Sequence, residues 1–200
     1  MAEGNDPLVM QLDPAAQRGG IVEANGVVSI EAEHFNTKAD CGASGWQVIP
    51  GLGRTGEGSV AVFPTTAPAV PSSSDVVRNA PRLDYSIWFF TAGEFMLHAN
   101  LIPTHPLSGE ILRFAVALDD APPQLVELPF ADGSAEWAQG VLNNTRVATA
   151  KLKVPTPGPH TLRVYGIEAG VVIDKLVIDC GGLRPSYLGP PETRVAAGAE

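Results

Sequence analysis

The chain has 200 residues, a formal net charge of −9 at neutral pH, 44% hydrophobic residues and 18% charged ones. That is enough apolar material for one domain with a sizeable core, and too much for a disordered chain. The 21 glycines and 18 prolines exceed ordinary usage and break up long helices, so an all-β architecture comes to the front. The acidic balance argues against sequence-independent phosphate binding, which needs clustered Lys and Arg, and so against nucleic acid as a partner.

Residues 1–26 hold no basic stretch followed by an apolar run, so the sequence offers no signal peptide. No segment approaches the roughly 18 apolar residues that a membrane span requires. We read 1–25 as an N-terminal extension, 26–180 as the folded domain and 181–200 as an irregular tail that packs along the surface.

From there, period two dominates. In 27–35 (VVSIEAEHF), Val28, Ile30 and Ala32 take one face while Ser29, Glu31 and Glu33 take the other. Strands follow at 58–63, 82–90 and 94–102, the last two joined by a short turn at Thr91–Gly93 that reads as a hairpin. Between them, 64–81 is rich in Pro, Ser and Thr and reads as a long surface loop. Further strands are expected at 111–118, 124–130, 145–153, 160–167 and 171–179. Short strands at 8–12-residue spacing with Gly/Pro turns indicate an all-β, jelly-roll-like antiparallel β-sandwich.

Three acids stand out. Glu31 and Glu33, two apart on a strand, place their backbones roughly 7 Å from each other on one face. They can act as a general acid/base pair on a glycosidic bond, supply oxygen ligands to Ca²⁺, or form a solvated face. Asp174 is read on the strand face of Val172, Leu176 and Ile178, where an unpaired carboxylate is costly; a metal cation or a Lys/Arg partner would satisfy it. First and last strands often run together in a sandwich, which would bring Glu31, Glu33 and Asp174 to one structural Ca²⁺.

With only 6% aromatic residues, each ring matters. Trp46 and Trp137 lie near loops and are candidate platforms for sugar rings, with core packing as the alternative. Trp88, inside a strand, is read as structural. Arg54, in the glycine-spaced run GWQVIPGLGRTGEGSV, lacks a phosphate-loop pattern and is either a carboxylate clamp, as for a uronic acid, or a salt-bridge partner. Cys41 and Cys180 are either two separate thiols or a disulfide, the latter requiring an oxidising compartment. The four histidines show no ligand spacing.

The runs GVVSIEAEHF, GWQVIPGLGRTG and VVIDKLVIDCGGLRPSYLGPPE resemble the C-terminal region of glycoside hydrolase family 115, the xylan α-1,2-glucuronidases, over roughly residues 26–193. The I-E-A-E and I-D-K-L-V-I-D segments are also similar to carbohydrate-binding module families 6 and 35, calcium-containing jelly-roll sandwiches. That likeness implies metal ligands at Glu31, Glu33 and Asp174. It further implies a non-catalytic accessory domain of a secreted or periplasmic parent enzyme whose catalytic domains lie elsewhere. Its expected partner is glucuronoxylan or a related uronate-bearing plant polysaccharide. An alternative is a homodimer-forming interaction domain without glycan affinity. An independent glycosidase using Glu31 and Glu33 is the weakest reading.

Overall fold

A computed structural model describes residues 20–195, apart from 71–74, 108, 110, 130 and 132. In chain order the elements are β1 (Ile21–Val22), β2 (Val27–Glu31), β3 (Thr37–Ala39), β4 (Gly45–Pro50), β5 (Gly58–Phe63), α1 (Val76–Asn79), β6 (Arg82–Phe89), β7 (Gly93–Leu101), β8 (Ile111–Leu118), β9 (Gln124–Pro129), α2 (Ala135–Leu142), β10 (Arg146–Val154), β11 (Gly158–Gly166) and β12 (Val172–Asp179). One sheet runs β1-β6-β11-β8-β9 with β3 also on β6; the other runs β10-β7-β12-β5-β4 with β2 also on β12. Only the β1–β6 pairing is parallel among the described strand pairs. The fold is an all-β, jelly-roll-like sandwich. Among the described residues no helix is long and apolar enough to cross a membrane.

Alternation builds the core. Leu83, Tyr85, Ile87 and Phe89 of β6 face Leu97, Ala99 and Leu101 of β7 across the layer, with Val28 and Ile30 of β2 and Leu176 and Ile178 of β12 beside them. This corrects the expected hairpin: β6 and β7 belong to different sheets. Residues 90–92 arch between the layers, and Glu23 pins the arch. Its carboxylate accepts from the amides of Phe90 and Thr91 at 2.8 and 2.9 Å and from the Thr91 hydroxyl. The polar donors of an arch that cannot pair in a ladder are thereby satisfied.

Other differences have local causes. β1 lies inside the segment read as an N-terminal extension; residues 1–19 fall outside the described region. Helix α2 was not expected, because eight residues containing Gly140 carry no sustained apolar stripe. Ser134 caps it, its hydroxyl accepting from the Trp137 amide. The 64–81 segment is more than a surface loop: Val70, Val76 and Ala80 pack on Ala115, Ala117, Tyr165 and Ile167 as a second apolar cluster. Cys41 and Cys180 are free. Burial pushes the Cys180 thiol up to about 12, so it is protonated at neutral pH.

Strand β12 breaks period two. Its core positions are Ile173, Leu176 and Ile178, with an extra residue where the register against β7 shifts between Ile173 and Lys175. The shift is a β-bulge. Asp174 therefore does not share a face with Leu176 and Ile178, as the alternation predicted; it lies next to Lys175 on the sheet's outer side.

Candidate functional site

Two features meet on that outer side: β2 and β12 run together, and the loop between β4 and β5 folds over their ends. The pairing puts Lys175 directly opposite Glu31, and Asn100 of β7 opposite Lys175 on its other edge. Glu31, Glu33 and Asp174 all lie under the glycine loop 51–58. A Cβ on Gly53, whose φ is +130°, would fall on Asp174 Oδ1. One on Gly56, with φ +71°, would collide with Glu33 and stand 3.0 Å from Glu31 Oε2. Only glycine allows this loop to approach the carboxylates so closely.

Each acid has its own partners. The Lys175 ammonium lies 3.0 Å from Glu31 Oε1, with the two side chains only 4% and 9% exposed. Thr55 donates its hydroxyl to Glu31 Oε2 at 2.9 Å. Glu33 Oε1 accepts from the amides of Glu57 and Gly58 at 2.5 and 3.1 Å, while Glu33 Oε2 is buried without a hydrogen-bond partner. Asp174 accepts from the Arg54 amide at 3.2 Å and the Ser59 hydroxyl at 3.3 Å. Among the described residues, no three His, Cys, Asp or Glu side chains are disposed as a ready-made metal centre. Glu31 and Glu33 are also unsuited to acid/base work on a glycoside, since both are tied down beneath the loop.

Burial is the largest influence on two of these acids. It raises the Glu31 carboxyl above its ordinary range, opposed by the hydrogen bond and charge of Lys175. It raises Asp174 likewise, opposed by the Arg54 amide and the Ser59 hydroxyl. A carboxyl raised on folding makes the native state bind protons more tightly than the unfolded chain. Stability from that group then falls as pH climbs from about 4 through the folded value, and the full cost remains above it. In metal-free buffer, Asp174→Asn should therefore gain stability relative to the unmodified chain between about pH 4 and 7 in urea unfolding. A difference that stays flat or narrows with pH would contradict the burial argument.

The aromatic and cationic candidates separate. Trp46 is 0% exposed, and its Nε1 donates to the Pro81 carbonyl at 3.1 Å. It is a core residue of β4 and not a sugar platform, which corrects the expectation. Gly166 makes room for it: a Cβ there would stand 3.2 Å from the indole and strike Val62. Trp137 is half-buried on α2, its ring 4.7 Å from that of His105, with the Arg146 guanidinium 5.8 Å over it. It is not among the residues lining the groove that holds Arg54.

Arg54 does two jobs. Its amide serves Asp174, while its guanidinium points away, 5.0 Å from the Tyr187 ring and 3.5 Å from Asn100 Oδ1. No described carboxylate is within ion-pair distance of it, and its Nε is buried without an acceptor. Sequence reasoning missed Lys175, Arg184 and Asn100. Lys175 alone left a signal, as one cation inside an otherwise apolar strand.

Comparisons with known proteins agree with the fold. The model of the glycosyl hydrolase family 115 C-terminal domain matches residues 20–192. Among solved structures, the chain is similar to the GH115 4-O-methyl-α-glucuronidase BtGH115A, described as specific for decorated arabinogalactans. That match has 21% identity and a TM-score of 0.58, and covers 78% of this chain and 18% of that one. It is also similar to the Arthrobacter globiformis T6 isomalto-dextranase, at 13% identity and TM-score 0.52, covering 78% and 24% of the two chains. The Podospora anserina GH26-CBM35 β-(1,4)-mannanase matches at 19% identity and TM-score 0.50, covering 81% and 29%. Identities this low carry the fold alone, and the chain spans less than a third of each of these proteins. A comparison with curated proteins gives no match. The family model, covering most of the described residues, decides the assignment: the chain belongs to the glycosyl hydrolase family 115 C-terminal domain family.

Proposed function

We propose that the chain is the non-catalytic carbohydrate-binding accessory module of a xylan α-glucuronidase-type glycoside hydrolase. It binds glucuronoxylan or a related uronate-bearing glycan outside the cytoplasm, alongside the parent enzyme's catalytic domains. The observation that carries this reading is Arg54: a guanidinium with no ion pair among the described residues, in a surface groove of a family 115 C-terminal domain. Arginine is the side chain best suited to a planar carboxylate. Calorimetry or affinity electrophoresis on glucuronoxylan should register binding. Failure to bind any plant polysaccharide would overturn the proposal. A second reading, a homodimer contact, is favoured by Val141 and Leu142 on α2, 52% and 77% exposed, with Val147 nearby in the chain at 47%. It predicts a dimer in light scattering and no glycan affinity.

The residues under the glycine loop fit a structural Ca²⁺ in donor type. They are three carboxylates, one with a buried oxygen that has no partner, below a loop stripped of side chains at Gly53 and Gly56. Glu31, Glu33 and Asp174 would hold the ion, and it would join the end of β2 to β12. At a hundredfold excess over Kd such an ion adds about 2.7 kcal/mol, or about 5–10 °C in Tm for a domain of this size. Chelator should reverse the gain, and Asp174→Asn should abolish the response. A melting temperature indifferent to both Ca²⁺ and chelator would remove the ion from this site.

A further inference from the structure

The chain after β12 stays on the sheet. Asp179 Oδ1 accepts from the amides of Gly181 and Leu183 at 2.9 and 3.1 Å, turning the backbone back over the strands. The Ser29 hydroxyl then donates to the Pro190 carbonyl at 3.0 Å, and the Thr193 amide donates to the Ser29 carbonyl at 2.9 Å. The Lys175 ammonium reaches the carbonyls of Leu188 and Pro190 at 3.3 and 3.2 Å. Residues 181–193 thus form a strap, and between the strap and β7 lies a groove of about 300 Å³.

This groove contains two unspent cations. Arg54 reaches it from the glycine loop and Arg184 from the strap. Neither has a described carboxylate within 4 Å; of the other described arginines, Arg82, Arg113 and Arg163 are paired with carboxylates, while Arg78 and Arg146 are not. What sets Arg54 and Arg184 apart is that the two guanidiniums line one groove. The Tyr187 ring, 5.0 Å from the Arg54 guanidinium carbon, holds its plane. His98 and Asn100, alternate residues on β7, add polar groups to the floor, Val147 and Val177 add apolar surface, and Asp179 also lines it, its Oδ1 already taken by the Gly181 and Leu183 amides.

We infer that this strap-walled groove binds a single carboxylate-bearing sugar unit. Arg54 and Arg184 take its carboxylate, and Asn100 and His98 take its hydroxyls. The inference rests on the reading of the chain as a glycan-binding module, and deepens it by naming the subsite and the charged group recognised there. The volume lies at the low end for ligand pockets, which suits one ring and not an oligosaccharide. Bidentate arginine contacts distinguish a carboxylate from a neutral hydroxymethyl group at the same ring position. The strap is then part of the binding site, because it supplies Arg184 and orients Arg54.

The test is calorimetry of the full chain with sodium glucuronate, glucose and inorganic phosphate, beside glucuronoxylan and unsubstituted xylan. Glucuronate should bind at least tenfold more tightly than glucose or phosphate, and the more weakly as salt rises. Arg184→Ala, an exposed position with no ion pair among the described residues, should keep the melting temperature and lose about tenfold or more in glucuronate affinity. Arg184→Lys, which keeps the charge without the planar fork, should lose part of it. Unchanged glucuronate affinity in both variants, or none in the unmodified chain, overturns the groove, even if glucuronoxylan still binds and the module reading stands. Phosphate binding as tightly as glucuronate also overturns it. If glucuronate binds through Arg184 while no polysaccharide is held, the groove stands and the module reading falls.

Discussion

Replacing Lys175 with methionine is expected to destabilise the domain by about 3–5 kcal/mol, the usual cost of stranding one member of a buried ion pair. The side chain is 4% exposed and its ammonium meets three oxygens: Glu31 Oε1 at 3.0 Å and the carbonyls of Leu188 and Pro190 at 3.3 and 3.2 Å. Methionine fills most of the volume and none of those bonds. Glu31, whose carboxyl burial already raises, then loses its main source of relief. Two carbonyls of the strap lose a donor at the same time. The double variant Glu31→Gln, Lys175→Met should cost clearly less than the two single changes added together, because no buried charge is left unpaired. Urea unfolding of the four proteins measures the coupling directly. Additive single-variant costs would mean that Glu31 is neutralised by something other than this ammonium. Hydrogen exchange offers a second view: amides of residues 188–193 should lose protection in Lys175→Met before those of β12 do.

What the sequence made legible follows from where a single physical rule governs. Period two places β6, β7, β10 and β11 within a residue or two, since each buries one face, while β5 and β12, buried on both faces, are legible as short apolar runs. Pairing is another matter. Alternation says which side of β6 and β7 is apolar, but not whether those sides share a sheet or face each other across the core. The deciding bonds come from Glu23, some seventy residues upstream. The bulge at Asp174 also evades a strict alternation, although the spacing of Ile173, Leu176 and Ile178 records it once the core is known. In β4 (GWQVIP) only Trp46 is fully buried; with no regular alternation the segment reads as part of a glycine-spaced turn and not as a strand, which is why its ring is expected near a loop.

The site divides in the same way. The acids were readable because carboxylates two apart on a strand, and one inside an apolar strand, demand compensation wherever they sit. The groove was not readable. Arg54 stands out in its glycine-spaced run, but its companion Arg184 lies on a strap that meets that loop only through the fold and belongs to no local pattern. Residues 181–195 looked irregular because their bonds run to side chains and carbonyls of β2 and β12, not to a ladder of their own.

Trp46 gives the sharpest separation between a packing residue and a binding residue. A platform tryptophan replaced by alanine loses glycan affinity and leaves stability nearly unchanged, because one of its faces is already in water. Trp46 has no exposed face. It fills the space between β4, β5 and the Gly166 end of β11, against Val62, with its Nε1 bonded to the Pro81 carbonyl. Trp46→Ala should therefore cost about 3–5 kcal/mol in urea unfolding, through lost apolar contact and the cavity left behind. Trp46→Phe should cost less. It keeps an aromatic ring, and the Pro81 carbonyl retains the Gly166 amide at 2.9 Å as a donor, so no buried polar group is orphaned. Glucuronoxylan affinity of Trp46→Phe, measured where the variant is fully folded, should match that of the unmodified chain. A Trp46→Ala variant that melts normally but no longer binds glycan would place the indole at a sugar-contacting surface, and the packing of β4 described here would be wrong.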